Sequence, residues 1–283
     1  MTAREGKEYA FKTIQGYKTS FKHFRSFILQ LYAVEDILIS KIDQSIILEY
    51  KKYLLMEKKF GLNTVNRYLK HLKNITSQCL NEGTLKKNPF NKITLGFKES
   101  DRMPLTELEL ERLMQHPFRN ATYQKVRDIF VLSCLTGLSY IDVKNLSRKN
   151  IIEVKEGQFL IKGSRQKSSS DFIVPLLPKA KEIIDRYSKT PEAIQAEVLI
   201  PILSNQKMNQ NLKVLSETLA IGRDLSYHIA RYTFIATVCA ANGIDERTIG
   251  KMAGQRSAKI TAAYNRKTED DVIRAMRNLE GRY

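Results

Sequence analysis

Tryptophan is absent from this chain, and cysteine occurs only three times. Cys79, Cys134 and Cys239 are too few, and odd in number, for a disulfide framework. No C-x-x-C and no Cys/His cluster offers the ligand spacing of a zinc site, so no metal is expected. The three read as reduced core residues of a cytoplasmic protein. No apolar run approaches the roughly 20 residues of a membrane-crossing helix. The longest, around Ile129–Leu135, has the length of a core helix, and Met1–Lys12 lacks the apolar segment of a secretory signal. Internal repeats and low-complexity tracts are also missing. Acidic residues are scarce beside basic ones, 30 against 47, for a net charge of +17.

A globular chain does not need that excess to fold. Its plainest use is attraction to a polyanion, either nucleic acid or an anionic membrane surface. The excess is also spread along the chain. Residues 1–100 hold 18 Lys and Arg against 9 Asp and Glu, and residues 101–283 hold 29 against 21. Two basic lobes on one nucleic acid fit this distribution better than a basic tail. With 283 residues and 42% hydrophobic content, one large domain or two ordinary ones can be built around a core.

The first hundred residues carry helical periodicity. Ile14, Tyr17, Phe21, Phe24 and Ile28 recur at three- and four-residue spacing, with Lys18, Lys22 and Arg25 between them. A second amphipathic helix starts near Asp43, and a third runs from about Asn63 to Asn81. Periodicity fades over 91–104, a charged stretch with Gly96, Ser100 and Pro104. The expected organisation is a helical DNA-binding domain at 1–96, a linker at 97–104 and a second domain at 105–283. Thr106-Glu107-Leu108-Glu109 reads as a capped helix start. After Asn150 the pattern changes to three short β-like runs, at Ile151–Val154, Phe159–Ile161 and Phe172–Val174. They predict a small antiparallel sheet in a helical domain. Further helices are expected at roughly 210–221, 226–242, 245–253 and 269–278. The fold class is mainly α, a helical bundle followed by an α-rich domain with a three-stranded sheet.

Two segments carry candidate chemistry. In Leu225-Ser226-Tyr227-His228-Ile229-Ala230-Arg231, His228 and Arg231 stand three apart, on one face near a helix start. Such an end attracts phosphate, an Arg can grip two phosphate oxygens, and a His can exchange a proton. Alone, the pair reads first as a buried His beside an exposed Arg. The second segment runs from Gly254 through Gln255 to Tyr264, with Lys and Arg around it. Alone, that Tyr reads as an ordinary half-buried aromatic.

Together the segments resemble the tyrosine recombinase, or phage integrase, family. H-x-x-R, a glycine turn some twenty-odd residues later and a Tyr ten residues after that follow the order of the family's catalytic half. Leu135-Thr136-Gly137-Leu138-Ser139-Tyr140-Ile141-Asp142 resembles its T-G-L-R-x-x-E/D box, and Arg165-Gln166-Lys167 resembles the hairpin of its catalytic Lys. The bundle before them resembles the family's core-binding (SAM-like) domain.

The resemblance implies roles. Tyr264 would be the nucleophile, Arg231 would bind the scissile phosphate, and His228 would handle the tyrosine proton. Lys167 would protonate the departing 5′ oxygen, and Asp142 would support the first box. Neither cofactor nor ATP is implied, since a 3′-phosphotyrosyl link conserves the energy of the broken bond. Cations fixed in place stabilise the charge that builds on the phosphate.

Two positions depart from the family pattern. Ser139 stands where the first Arg belongs, and Gln255 where a His or Trp belongs. Some mobile-element integrases resemble this chain in having T-G-L-S. Arg165 is the first candidate for a substitute cation, ahead of Arg256 and Arg148. Gln255 can still donate a hydrogen bond to a phosphate oxygen. Against this stands a catalytically impaired homologue that binds DNA as a regulator or accessory factor. A type IB topoisomerase would share the chemistry without the site selectivity.

Double-stranded DNA is the implied partner, with no membrane, in a nucleoid-associated location. Lys18, Lys22, Arg25, Arg67, Lys70 and Lys73 are the candidate phosphate contacts of the bundle. The resemblance further implies two lobes closing on the duplex and four protomers at synapsis.

Overall fold

The computed structural model describes residues 11–98, 103–166 and 170–255. The chain divides into two compact units at Ser100/Asp101. Lys167, Arg256, Tyr264 and the expected last helix at 269–278 lie outside the described residues.

The first unit is built on three helices, α1 (Phe11–Tyr32), α2 (Gln44–Met56) and α3 (Leu62–Asn81). Asp43 caps α2 by accepting the Ile46 N–H. Each helix turns an apolar stripe inward. Phe24, Phe27, Ile28, Ile47, Tyr50, Leu54, Val65 and Leu69 form the shared core, closed by Phe90. The α1 stripe differs from the expected one at one position. Phe21 is 59% exposed, whereas Phe27 is fully covered. The buried side of α1 runs through Ile14, Ser20, Phe24, Phe27 and Ile28, which leaves Phe21 at its edge.

Loss of periodicity over 91–104 suggested a linker, but part of that stretch is fastened. Asn63 donates to the Lys98 carbonyl and accepts its N–H, both at 2.8 Å. The buried Asn66 donates to the Gly96 carbonyl. Hydrogen bonds from side chains to backbone have no apolar period, so the pattern could not report them.

The second unit forms around α5 (Ala121–Thr136), on which every residue from Val126 to Thr136 is buried. A helix covered on all sides needs neighbours all round. Around it lie α4 (Glu107–Gln115), α7 (Pro178–Ser188), α9 (Asn205–Thr218) and α10 (Ile229–Thr233). Short helices α6 (Tyr140–Lys144) and α8 (Pro191–Gln195) and the last described helix, α11 (Glu246–Ala253), complete the helical part. Thr106 and Glu109 close the expected capping box at the start of α4.

The sheet is an antiparallel meander of β1 (Ile151–Lys155), β2 (Gln158–Ser164) and β3 (Asp171–Pro175). Ile161 pairs with Val174 and Gly163 with Phe172. Strand β2 runs three residues beyond the apolar run that announced it, and so ends one residue before Arg165. The single helix expected at 226–242 is instead three pieces. After α10 comes a π-helical stretch, Phe234–Cys239, and then a 3₁₀ turn, Ala240–Asn242. The three share one apolar periodicity, so the change of winding has no sequence signature.

Thr233 and Thr237 tie the start of this unit to that irregular helix. The Leu105 N–H donates to Thr233 Oγ1 at 3.0 Å, and Thr237 Oγ1 donates to the Leu105 carbonyl at 2.5 Å. Among the described residues no helix is long and apolar enough to cross a membrane. Among those residues, too, no group of three His, Cys, Asp or Glu side chains gathers as metal ligands.

Candidate active site

Helix α5 ends at Gly137, whose left-handed φ of 65° turns the chain into the T-G-L-S segment. A β-carbon there would lie 2.4 Å from the Phe234 ring, so the missing side chain also lets the π-helical stretch pack on this turn. Helix α11 ends the same way at Gly254, with φ 59°. A β-carbon there would meet Arg165 Cγ and Nε at 2.9 Å. The two glycine turns leave two carbonyls, Gly137 O and Ala253 O, at the C-terminal ends of two helices. That end carries partial negative charge and favours cations.

Two arginines take these carbonyls. Arg231, on α10, donates to Gly137 O at 3.0 Å and to Ala253 O at 2.5 Å. Arg165, just past β2, donates to Gly137 O at 3.3 Å and, through Nε, to Ala253 O at 3.0 Å. Through Nη1 it also donates to Asp142 Oδ2. The Arg165 guanidinium lies over the Phe172 ring, 4.4 Å from the centroid. Arg165 is 7% exposed, so it occupies a built seat rather than a surface. Burial pushes its guanidinium below the ordinary range while Asp142 pulls it back up. An arginine stays charged through such opposition. Three of its five N–H groups are engaged by these partners, which leaves donors for an anion.

Ser139 is occupied with Asp142. Its N–H and hydroxyl both donate to Asp142 Oδ2, at 2.9 and 2.6 Å, as a capping box at the head of α6. The same carboxylate oxygen therefore serves Ser139 and Arg165. The acid of the T-G-L-S box holds a cation delivered from the hairpin, and the serine steadies the acid.

His228 stands at the cap position of α10, exposed, with its ring edge-on to Tyr232 at 5.1 Å. Gln255 follows the Gly254 turn, and its N–H donates to the Gly250 carbonyl at 2.9 Å. The structure thus brings together Arg165, Arg231, Ser139 and Asp142. His228 begins the helix that bears Arg231, and Gln255 adjoins the Ala253–Gly254 turn. Arg148 is exposed on the 3₁₀ turn before β1. The two carbonyl acceptors were not legible in the sequence, because a backbone oxygen belongs to every residue.

In the first unit Lys18, Lys22 and Arg25 line a shallow groove on α1 with Phe21, Ser26 and Leu29. Arg25 shares an exposed ion pair with Glu35 at 3.0 Å. On α3, Arg67 and Lys70 are exposed and Lys73 is half-buried.

Comparison with known proteins follows the same division. Residues 1–95 match the Phage integrase SAM-like domain, and residues 104–270 match the Phage integrase family. The tyrosine recombinase XerC of Listeria monocytogenes serotype 4a is 25% identical over 278 residues, covering 93% of this chain and 90% of that one. The tyrosine recombinase XerD of Lacticaseibacillus casei is 25% identical over 223 residues, covering 74% of each. Among solved structures, a lambda integrase dimer bound to a COC′ core site has a similar fold, with TM-score 0.73, 15% identity and 93% of both chains covered. The Tn1549 transposon integrase in complex with circular intermediate DNA is also similar, with TM-score 0.72, 18% identity, and 97% and 96% coverage.

Proposed function

Because the chain belongs to the phage integrase family of tyrosine recombinases, enzymes that cleave and rejoin DNA, we propose that it is the strand-exchange enzyme of a mobile genetic element, acting through a 3′-phosphotyrosyl intermediate. Site-specific DNA recombination is the activity common to the family. The T-G-L-S segment, similar to that of some mobile-element integrases, supports the narrower assignment.

In the proposed reaction the Tyr264 hydroxyl attacks the scissile phosphorus. A P–O bond to Tyr264 forms as the P–O5′ bond breaks. His228 takes the phenol proton, and Lys167 gives a proton to the departing 5′ oxygen. Religation reverses the sequence with a new 5′ hydroxyl. A phenol of pKa about 10 is a poor nucleophile at neutral pH, so a base and a positive field are needed.

Arg231 and Arg165 are the phosphate clamp. The observation that carries this reading is their shared hold on Gly137 O and Ala253 O, with Arg165 tied to Asp142. Arg165 thereby supplies the cation that Ser139 does not. Gln255 adds a neutral donor to a phosphate oxygen. Lys18, Lys22, Arg25, Arg67, Lys70 and Lys73 grip the duplex outside the cleavage point, and four protomers assemble at synapsis.

A nicked suicide substrate carrying the element's ends tests this. Wild type should form a covalent adduct, Tyr264→Phe none, and Arg165→Ala far less. Specific binding with no adduct from wild type would favour an accessory factor instead. The full-length similarity to XerC favours a second reading, resolution of chromosomes. Cleavage of a chromosomal resolution site in preference to the element's ends would select it.

A further inference from the structure

The residue before His228 is held at both its ends by elements distant in sequence. The Tyr227 N–H donates to Asn209 Oδ1 at 2.7 Å. Asn209 Nδ2 in turn donates to the Asn205 carbonyl at 2.9 Å, within α9. The two bonds together fix the amide orientation, because a flipped amide would set N–H against N–H at Tyr227 and oxygen against oxygen at Asn205. The Tyr227 ring is 3% exposed and meets Phe130 and Tyr140 edge-on. Its hydroxyl lies 2.5 Å from Ser133 Oγ, in the fully buried last turn of α5.

These anchors serve a helix start that has no side-chain cap of its own. Helix α10 has five residues, and the cap position, His228, makes no side-chain cap bond. Its first turn is wound tightly, with Ile229 N–H on the Ser226 carbonyl at 2.9 Å and Arg231 N–H on the His228 carbonyl at 3.2 Å. The helix winds on from Thr233 into the π-helical stretch Phe234–Cys239, so its C-terminal end is continued while its start depends on neighbours. Asn209 satisfies an N–H that this entry turn leaves open. It does so from a helix whose neighbouring core positions, Met208 and Leu212, are apolar. Asn209 itself is half-buried at the edge of that core, where its amide reaches the turn.

We propose that Asn209 and Ser133 are positioning residues for His228, acting through Tyr227. They set the height and direction of the imidazole at the head of α10 and touch no reacting atom themselves. The inference rests on the proton-transfer role proposed above for His228. A displacement of about 1 Å at a reacting group costs on the order of 10²-fold in rate.

The test uses the full chain and a duplex enriched from a random-sequence pool by binding to it, nicked to trap cleavage. Single-turnover cleavage and DNA affinity are measured separately for Asn209→Leu, Asn209→Asp, Tyr227→Phe and His228→Ala, and for the doubles with His228→Ala. Asn209→Leu should cut cleavage about 10- to 100-fold with affinity within about twofold. Asn209→Asp keeps the acceptor and should restore most of the rate. Tyr227→Phe, which keeps the ring and frees Ser133, should show a smaller loss in the same sense. In the His228→Ala background neither change should matter much further. Equal losses in both backgrounds, or an unchanged rate in Asn209→Leu, would overturn the inference alone. An unchanged rate in His228→Ala would overturn the role of His228, and this inference with it.

Discussion

Arg165 and Arg231 lie 66 positions apart in the chain, yet their guanidinium groups donate to the same two carbonyl oxygens, those of Gly137 and Ala253. Two cations can share so small a space because both carbonyls cap helix C-termini and Asp142 adds a full negative charge. Removing one partner of such a cluster leaves the others misplaced. Arg165→Ala should therefore lower single-turnover cleavage by roughly 10²–10³-fold, the usual loss for one transition-state donor. Arg165→Lys should recover little, since an ammonium cannot span Asp142 and two carbonyls at once. The double variant with Arg231→Ala should be much less than multiplicatively impaired, because the two act as one unit. Full multiplicativity would refute the shared clamp.

The glycines that open this seat admit a stability test. At Gly137 a methyl group meets Phe234 at 2.4 Å and φ is left-handed. Gly137→Ala should cost roughly 1–3 kcal/mol by overpacking alone, with backbone strain added. At Gly254 φ is likewise left-handed, and the nearest atoms are Cγ and Nε of the buried Arg165, at 2.9 Å. Gly254→Ala should therefore cost a similar amount of stability but impair cleavage more, because Arg165 must move. Urea midpoints and cleavage rates on the two variants separate the effects.

Thr233 accepts the buried Leu105 N–H and donates to the Ile229 carbonyl. Thr233→Val keeps the shape and deletes the acceptor. It should destabilise the chain by about 1–3 kcal/mol, the cost of an unmade buried hydrogen bond. Thr233→Ser should restore most of the loss. Thermal unfolding of the two variants reads this directly.

In the first unit His71 bonds Ser20 Oγ at 2.6 Å through Nδ1 and stacks on Tyr17. Burial lowers its pKa from 6.5, and Arg67 and Lys70 lower it further. Burial, Lys58 and Lys22 lower that of His23. A histidine with a depressed folded pKa is protonated more readily in the unfolded chain. The stability it confers is complete above 6.5 and is lost as pH falls below that value. Unfolding free energy measured between neutral pH and 5 should thus fall on acidification, and His71→Gln should flatten the slope.

Arg67 and Lys70 are exposed on α3. Each, as a phosphate contact, releases a counterion on binding. Lys70→Ala should weaken DNA affinity alike for different sequences and reduce the log–log salt slope by about 1. A change confined to one sequence would mean a base contact instead.

Much of this protein was written locally. The helices of the first unit, the capping box at Thr106 and the three strands follow from apolar period and side-chain chemistry that act within a few residues. So does the ordered series of polar motifs in the second unit. The exposed Phe21 and the fastened Gly96 and Lys98 were not legible, since neither departs from its local pattern. Nor was the site's innermost layer. That Gly137 O and Ala253 O would meet, that two arginines would share them, and that Asn209 would hold the turn before His228 depended on how α5, α9, α10 and α11 pack. Periodicity tells which face of each helix is buried. It does not tell which backbone carbonyl a distant side chain will reach, because that is settled only when the cores close and the chain's ends of helix come within hydrogen-bond range.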